Sequence, residues 1–318
     1  VIGCGAYLPE NVVTNEDLAK KVNTSDEWIV SRTGIRQRHI AQDGEMTSDL
    51  AYQAAKRAVE DAGIEQQNID LIVVGTTTPD DTFPSVAVKV QSRLGLTEGA
   101  AFDVQAACSG FIYALSVADS MIQAGQIKTA IVIGADTLSK LLNWQDRTTC
   151  VLFGDGAGAV VLQGQSANRE SAPTGILSTH LHSDGNLRNI LYCESDLVAG
   201  VDSRVIRMDG REVFKHAVTN LASVVIEALE ANGLRDTDID WLVPHQANKR
   251  IIDSTAKKLK MSDDKVVLTI ANHANTSAAS IPLALDAAIK DGRIQPGNVL
   301  LMEAMGGGLT WGAALVRW

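Results

Sequence analysis

The 318-residue sequence predicts an α/β fold made of two duplicated halves. The first observation is an internal repeat, because residues 47–73 match residues 217–243 in pattern at a spacing of 170 positions. The second is that each half alternates apolar strands with long helices, which is typical of sheets covered by helices. The third is a globular composition, with 45% hydrophobic and 21% charged residues.

The repeat can be followed element by element. In both copies an amphipathic helix closes at a glycine, Gly63 or Gly233, and a short loop leads to an apolar strand. At the same spacing, the strand, turn and helix of residues 102–115 match residues 271–285. We therefore expect two α/β halves with mixed central sheets, layered about a pseudo-twofold axis.

The spacing changes towards the end of each half. FGDGAGAVVL, residues 153–162, aligns with LTWGAALVRW, residues 309–318, so the first half carries an insertion before Gly154. The predicted units are residues 1–173 and 174–318. Helices between two sheets should be apolar all round, and residues 111–122 and 223–234 have this character.

Three candidate functional residues follow predicted strands at equivalent edges: Cys108, His245 and Asn275. Ligands of open α/β sheets bind beyond the carboxyl ends of the strands. Taken singly, a cysteine in an apolar segment is more often packing, and a histidine is more often structural. Together at one edge they favour a site. A helix N-terminus and an imidazole lower a cysteine pKa, so Cys108 is predicted to be a thiolate nucleophile.

Composition and charge disfavour several other classes of protein. A net charge of −10 disfavours nucleic-acid binding. No apolar run approaches the ~20 residues of a membrane span, so no membrane partner is expected. The four cysteines form no CxxC pair, which fits a reducing cytoplasm. His180 and His182 resemble a metal pair, but strand alternation explains them, and no metal is expected.

The motifs around these residues resemble those of one family. AACSGF with Cys108, VPHQAN with His245, NTSAAS with Asn275 and the terminal EAMGGGLTWG are similar to β-ketoacyl-[acyl carrier protein] synthase III, the initiating condensing enzyme of bacterial fatty acid synthesis, in the thiolase-like superfamily. The similarity covers essentially the whole chain. Elongating synthases have a second histidine in place of Asn275, and thiolases use a second cysteine near the C-terminal glycines. This chain has no cysteine after Cys193.

The resemblance implies a two-stage reaction without a cofactor, in which acyl-CoA is a substrate. Cys108 takes the acyl group as a thioester; malonyl-acyl carrier protein then loses carbon dioxide, and its enolate attacks that thioester. His245 and Asn275 suit the decarboxylation, because two neutral donors stabilise an enolate without a metal. The backbone N–H groups of Cys108 and Gly307 are the implied oxyanion hole for acyl transfer.

The resemblance also implies binding residues for CoA and the acyl chain. Trp28 would stack on the adenine with Arg147 opposite, Arg32 would meet phosphate, and Asn248 would contact the CoA side. The alternative for the cations near Trp28 is a solvated basic face. The implied acyl-pocket residues are Phe83, Phe153 and Met305.

A local basic patch on this acidic chain follows His245. Acyl carrier protein is the partner that the resemblance implies, and simple solubility is the alternative. The family also implies a homodimer, in which Phe83 reaches the partner's pocket. The candidate carrier-binding residues are Lys215, Lys249, Arg250, Lys257 and Lys258.

The two residues that precede Asn275, His273 and Ala274, complicate the comparison with the family motif. His273 could be mistaken for a second catalytic histidine, but we expect it to be structural. Ala274 replaces the glycine usual in this motif, and an alanine at positive φ would be strained, which affects the geometry of Asn275.

Three rival functions stay open. One is another type III-like condensing enzyme for longer acyl-CoA or a secondary metabolite, since Met305 replaces the usual phenylalanine and leaves chain length open. Another is a cysteine hydrolase that releases free acid. The third is a carrier-binding module in which Cys108 is only packed.

Overall fold

The computed structural model describes residues 1–165, 173–194 and 204–318. In the first of these ranges, the strands are β1 (Gly3–Tyr7), β2 (Val12–Thr14), β3 (Gln37–His39), β4 (Leu71–Gly75), β5 (Ala100–Val104), β6 (Thr129–Thr137) and β7 (Asp155–Gln163). The helices are α1 (Asn15–Ala19), α2 (Asp26–Thr33), α3 (Thr47–Ala62), α4 (Val86–Arg93) and α5 (Gly110–Gln123). A mixed five-stranded sheet has the order β1-β7-β6-β4-β5, with β4 parallel to β5 and β6 and the other pairs antiparallel. A small ribbon, β2 with β3, stands apart from it.

In the rest of the described chain, the strands are β8 (Gly175–Ser183), β9 (Leu191–Tyr192), β10 (Arg207–Met208), β11 (Trp241–Pro244), β12 (Val299–Gly306) and β13 (Thr310–Arg317). The helices are α6 (Gly210–Ala231), α7 (Lys249–Lys258), α8 (Ile270–His273) and α9 (Ser280–Lys290). A second mixed sheet has the order β11-β12-β13-β8, in which β11 and β12 are parallel. The short strands β9 and β10 pair separately.

The two sheets repeat one topology, so the predicted duplication is confirmed. The order β1-β7-β6-β4 corresponds to β8-β13-β12-β11. The helices α3 and α6 precede equivalent strands, and their C-terminal glycines, Gly63 and Gly233, have nearly the same left-handed φ of 62° and 63°. Glycine suits this end because it has no Cβ to clash at positive φ.

Two details of the repeat differ from the sequence alignment. The strand registers place Leu162 opposite Ala130 and Val316 opposite Leu300, so Leu162 corresponds to Val316 and not to Trp318. A two-residue shift keeps each side chain on its face, so the apolar pattern alone does not reveal it. In addition, Asn275 follows the helix α8 instead of a strand.

The sheets pack face to face across the helices α5 and α9. The helix α5 contacts β4, β6, β8 and β13, and α9 contacts β1, β7 and β11. Their side chains join both sheets in one core cluster, which includes Phe111, Val73, Leu285 and Leu300. Residues 111–122 are therefore shared, as predicted. The prediction for residues 223–234 is wrong, because α6 covers the outer face and leaves Ile226 49% exposed.

The division into units 1–173 and 174–318 stays a prediction. Its boundary adjoins residues 166–172, which lie outside the described residues. The strands of the first sheet end at Gln163 and those of the second begin at Gly175. Both halves nevertheless share the core around α5 and α9, which argues for joint folding.

The insertion between β6 and β7 packs on the segment from β2 to β3. Leu18, Ile29 and Ile35 form a cluster there with Val151 and Phe153. This cluster brings Trp28 and the insertion to the carboxyl ends of the central strands. None of the helices in the described residues is long and apolar enough to cross a bilayer.

Candidate active site

A cavity of about 1450 Å³ opens where the strand ends of the two halves meet. Its wall contains the side chains of Cys108, His245 and Asn275 together with Gly307. The structure thus brings together the four residues that the sequence singled out for chemistry. They come from positions far apart in the chain because the pseudo-twofold places both sets of loops at one edge.

Cys108 lies in a 3-10 turn, Ala107–Ser109, between β5 and α5. Ala107 has a φ of 47°, which turns the chain sharply into the helix. Gly306 at the end of β12 packs directly against this turn. A Cβ on Gly306 would lie 2.5 Å from the Cys108 nitrogen, so any larger residue would displace the nucleophile.

The thiol of Cys108 is neutral in the resting site. Burial raises the pKa of Cys108 to about 12, and the nearby polar side chain of Ser277 opposes this effect. The expectation of a lowered pKa is therefore wrong. The physical reason is that losing water penalises the thiolate more than the neighbouring donors favour it.

His245 follows β11 and is neutral as well. Its side chain is buried, and burial lowers the pKa of His245 to about 3. Nδ1 lies 2.6 Å from the Ser280 hydroxyl, which accepts a hydrogen bond from the Gln246 N–H. The hydroxyl proton is thus available to Nδ1, which leaves the ring proton on Nε2 as a donor.

Asn275 is fixed by bonds on both its side chain and its backbone. Its Oδ1 accepts from the Ser277 N–H at 2.9 Å, so its Nδ2 is left as a donor. Its backbone N–H donates to Leu152, and its carbonyl accepts from Gly154, both at 3.0 Å. These bonds attach Asn275 to the insertion that precedes β7.

The residues before Asn275 behave as the sequence suggested. Ala274 is buried at φ 59° and ψ −161°, a region that is essentially reserved for glycine. The expected strain is therefore confirmed. His273 is absent from the described wall of the cavity, and burial lowers the pKa of His273 to about 4.

Two guanidinium groups flank Trp28 at the cavity mouth. Arg32 lies 4.6 Å and Arg147 lies 5.1 Å from the indole centroid. Arg147 also donates to the carbonyl of Asn23 at 2.9 Å. Trp28, Arg32 and Asn248 line the cavity. Asn248 also caps the start of α7, where its side chain accepts a hydrogen bond from the Arg250 N–H.

The three acyl-pocket candidates separate into two groups. Phe153 and Met305 are buried and line the cavity. Phe83 does not line it within this chain. Its side chain is 83% exposed, so any contribution to an acyl pocket must be made to another molecule.

The basic candidates lie on α6 and α7, and their charges are unequally available. Lys257 and Lys258 are exposed in the last turn of α7. Arg250 lies 5.6 Å from the Phe214 ring at the cavity wall. The other two are in ion pairs on their own helices: Lys215 with Glu212 at 3.3 Å and Lys249 with Asp253 at 2.7 Å.

Sequence reasoning missed several polar residues in and around the cavity. Glu303 is 1% exposed, its Oε2 has no partner, and burial raises the pKa of Glu303 to about 8. Asp136, near the end of β6, is fully buried. The signal was a single carboxylate in each of two apolar strands, LLMEAMG and IVIGAD, because an isolated charge in a buried strand demands a reason.

His180 and His182 have a common partner outside the cavity. Both bond to the carboxylate of Glu227, at 2.9 and 2.6 Å respectively. No group of residues able to hold a metal ion occurs in the described ranges. The absence of a bound metal stays a prediction.

Comparison with known proteins agrees with this geometry. The family model "3-Oxoacyl-[acyl-carrier-protein (ACP)] synthase III" matches residues 102–185, and its C-terminal model matches residues 229–318. A β-ketoacyl-[acyl-carrier-protein] synthase III from Rhodospirillum centenum is 64% identical over 318 residues, which cover all of this chain and 98% of that protein.

The chain belongs to the β-ketoacyl-[acyl-carrier-protein] synthase III family. The crystal structure of the synthase III from Aquifex aeolicus VF5 superposes with a TM-score of 0.94 at 48% identity, over all of this chain and 99% of that one. The priming β-ketosynthase of the R1128 polyketide pathway gives 0.93 at 34% identity, over 100% and 95%. The predicted fold is confirmed, and the chain is an acyl-transferring condensing enzyme of this family.

Proposed function

We propose that this chain condenses an acyl-CoA primer, with acetyl-CoA as the expected one, with malonyl-acyl carrier protein to give 3-ketoacyl-acyl carrier protein, and so initiates fatty acid synthesis. The observation that carries the proposal is that Cys108, His245 and Asn275 line one cavity. The set combines a nucleophile with two neutral donors. The residues of this chain supply the chemistry without a cofactor.

The first stage transfers the acyl group to Cys108. The sulfur attacks the thioester carbonyl of acyl-CoA, and the oxygen that gains charge is held by the N–H groups of Cys108 and Gly307. The new C–S bond forms first, and the C–S bond to CoA breaks when the charged intermediate collapses. The proton of Cys108 leaves with CoA, since a His245 imidazole with a pKa of about 3 is a weak base.

The second stage makes and uses the carbon nucleophile. The carboxylate of the malonyl group leaves as carbon dioxide, and its bonding electrons form an enolate. The Nε2–H of His245 and the Nδ2–H of Asn275 stabilise the enolate oxygen as charge develops. The enolate carbon then attacks the thioester on Cys108, and the sulfur leaves as a thiolate that regains its proton from water. Loss of one donor should cost roughly 3 kcal/mol, or about a hundredfold in rate.

Recognition of the two substrates is part of the proposal. Trp28, Arg32 and Arg147 form a flat, cationic mouth that suits an adenine nucleotide. The Arg147 side chain would have to withdraw to admit a base onto the indole. The exposed lysines of α7 offer charge to an acidic carrier protein. We also propose a cytoplasmic location for the chain.

A homodimer, which membership of this family implies, completes the proposal, and the 83% exposed Phe83 is free to contact a partner chain. Sedimentation equilibrium should give twice the 33.9 kDa chain mass, and Phe83→Ser should weaken the association. A monomer at assay concentration would contradict this part.

The experiment is a condensation assay that reads product by the mass of the carrier protein. With acetyl-CoA and malonyl-acyl carrier protein, the wild type should form the 3-ketoacyl carrier. The variants His245→Ala and Asn275→Ala should each lose about a hundredfold in rate while Cys108 still becomes acylated. His273→Ala is the matched control, since His273 lies outside the cavity wall, and it should retain the rate.

A second candidate is condensation with a longer primer or for a secondary metabolite. It is favoured by Met305, a flexible side chain in the cavity wall that can leave room for a longer chain. Product with octanoyl-CoA but none with acetyl-CoA would select it. Free acid without loss of carbon dioxide would indicate a hydrolase, and carrier binding without acylation would indicate a silent module.

A further inference from the structure

A fully buried amide lies next to His245 in the chain and is not used by the reaction above. Gln246 is 0% exposed and is absent from the described wall of the cavity. Its side chain therefore cannot act on a substrate directly. Burying an amide costs free energy unless its donors and its acceptor are paired, so the partners of Gln246 indicate which parts of the chain it holds in place.

One bond of this amide closes the turn that carries His245. The Nε2 group of Gln246 donates to the carbonyl of Pro244 at 2.8 Å, so the two neighbours of His245 are joined to each other. The backbone N–H of Gln246 donates to the Ser280 hydroxyl at 3.3 Å, and the same hydroxyl lies 2.6 Å from Nδ1 of His245. The turn and the imidazole ring of His245 are therefore held by the same two residues.

The same amide binds the segment that leads to Asn275. The Nε2 group also donates to the Val267 carbonyl at 3.1 Å. The Oε1 atom accepts from the N–H groups of Thr269 and Ile270, at 2.9 and 3.1 Å, where α8 begins. The first N–H groups of a helix have no partner within it, so Gln246 satisfies them and fixes where α8 starts. Asn275 follows the end of α8 by two residues.

All four hydrogen-bonding positions of the Gln246 amide are thus used. One joins it to the turn of His245, and three join it to the segment before Asn275. These two segments matter together in the second stage, because His245 and Asn275 donate to the same enolate oxygen. None of the four bonds reaches the turn of Cys108, which belongs to the other half of the repeat.

We propose that Gln246 is a positioning residue for the decarboxylation: its amide holds the turn of His245 against the segment that carries Asn275, so that both donors meet one oxygen. The inference rests on the proposed function, because it concerns the second stage of that reaction. Gln246 neither gains nor loses a proton. A displacement of about 1 Å can cost about a hundredfold in rate, and here it affects only the stage that uses both donors.

The test measures the two stages separately, each in a single turnover. Intact-mass spectrometry follows the acylation of Cys108 by acetyl-CoA. Release of carbon dioxide from malonyl-acyl carrier protein then follows decarboxylation by the acylated enzyme. Gln246→Met keeps the length of the side chain but removes its hydrogen bonds. We expect decarboxylation to slow by roughly tenfold or more, while acylation keeps its rate.

Asn232→Leu is the matched control. Asn232 also ties two elements through a side-chain amide, since its Nδ2 donates to Ser178 on β8 at 2.7 Å and to the Ala228 carbonyl in α6 at 2.8 Å. It lies outside the described wall of the cavity. This variant should lose stability without a change in either rate of the folded enzyme. A slowing of decarboxylation equal to that in Gln246→Met would show general loosening and would overturn the proposal.

Equal slowing of both stages in Gln246→Met would also overturn it, as would decarboxylation at the rate of the wild type. If Gln246→Met does not fold, Gln246→Asn decides, since its amide is one methylene shorter and cannot reach all four partners; it should show the same selective loss. A wild type that is not acylated, or that releases no carbon dioxide, would instead contradict the proposed function, so the two failures are distinguishable.

Discussion

The reacting groups of this site are neutral at rest. Burial raises the pKa of Cys108 and lowers that of His245, so neither carries charge near pH 7. A neutral imidazole with its proton on Nε2 donates to an enolate, which fits decarboxylation better than it fits proton abstraction. The sequence predicted which residues meet but not their protonation, because burial is a property of the folded chain.

Ala274 should show its strain in a matched pair of glycine variants. Ala274→Gly and Ala279→Gly each remove one buried methyl and increase the conformational entropy of the unfolded chain. Only Ala274 has a positive φ, of 59°, whereas the φ of Ala279 is −72°. We expect Ala274→Gly to be less destabilising by about 1–3 kcal/mol. Urea unfolding measures the difference, and equal losses would contradict the strain.

Glu303 should make stability depend on pH. Its pKa is about 8 in the fold, above the ordinary value of 4.5, so the folded chain binds the proton that the unfolded chain releases. The contribution of this proton to the free energy of unfolding is complete below about pH 4.5. It is lost as the pH rises to about 8, at up to about 1.4 kcal/mol per pH unit.

The variant Glu303→Gln keeps the shape but cannot ionise. Its unfolding free energy relative to the wild type should increase steadily from about pH 5 to about pH 8. If the unfolding free energies of the variant and the wild type change in parallel over this range, Glu303 is ionised in the folded chain and the prediction is wrong.

At the scale of elements, hydrophobic periodicity predicted the helices that bury one face and expose the other. The helices α3 and α6 were found by the repeat, and both end at left-handed glycines as expected. The apolar pattern predicted the wrong burial for α6, because the apolar residues of this helix extend to the exposed Ile226. It also predicted a strand where the helix α8 lies. The two halves match there only from the turn after β5 onward.

The end of α7 should contribute to carrier binding more than its start. Lys257 is exposed in the last turn, whereas Lys249 is already paired with Asp253 at 2.7 Å. Lys257→Glu should raise the KM for malonyl-acyl carrier protein several-fold, and Lys249→Glu less, with acyl-CoA kinetics unchanged in Lys257→Glu. Lys56→Glu on α3 is the control for overall charge. An equal effect of Lys56→Glu would favour simple solubility for the patch.

At the scale of the molecule, the duplication explains how the site is assembled. Ala107 and Ser277 are 170 positions apart and share a positive φ, 47° and 52°, in equivalent turns before α5 and α9. One turn presents the nucleophile and the other presents Ser277 beside it. The repeat was visible in the sequence, so the meeting of the two turns could be predicted. The hydrogen bond from the Ala278 N–H to Asp136 could not, since it depends on how the two halves pack together.

The covalent step on Cys108 is the central claim, and intact-mass spectrometry tests it most directly. The wild type and Cys108→Ala would be incubated with acetyl-CoA and, separately, octanoyl-CoA, without malonyl substrate. The account predicts a stable acetyl adduct on the wild type and none on the variant. An octanoyl adduct alone would select the longer-primer enzyme. No adduct from either substrate, in a wild type whose fold is intact, would contradict the account.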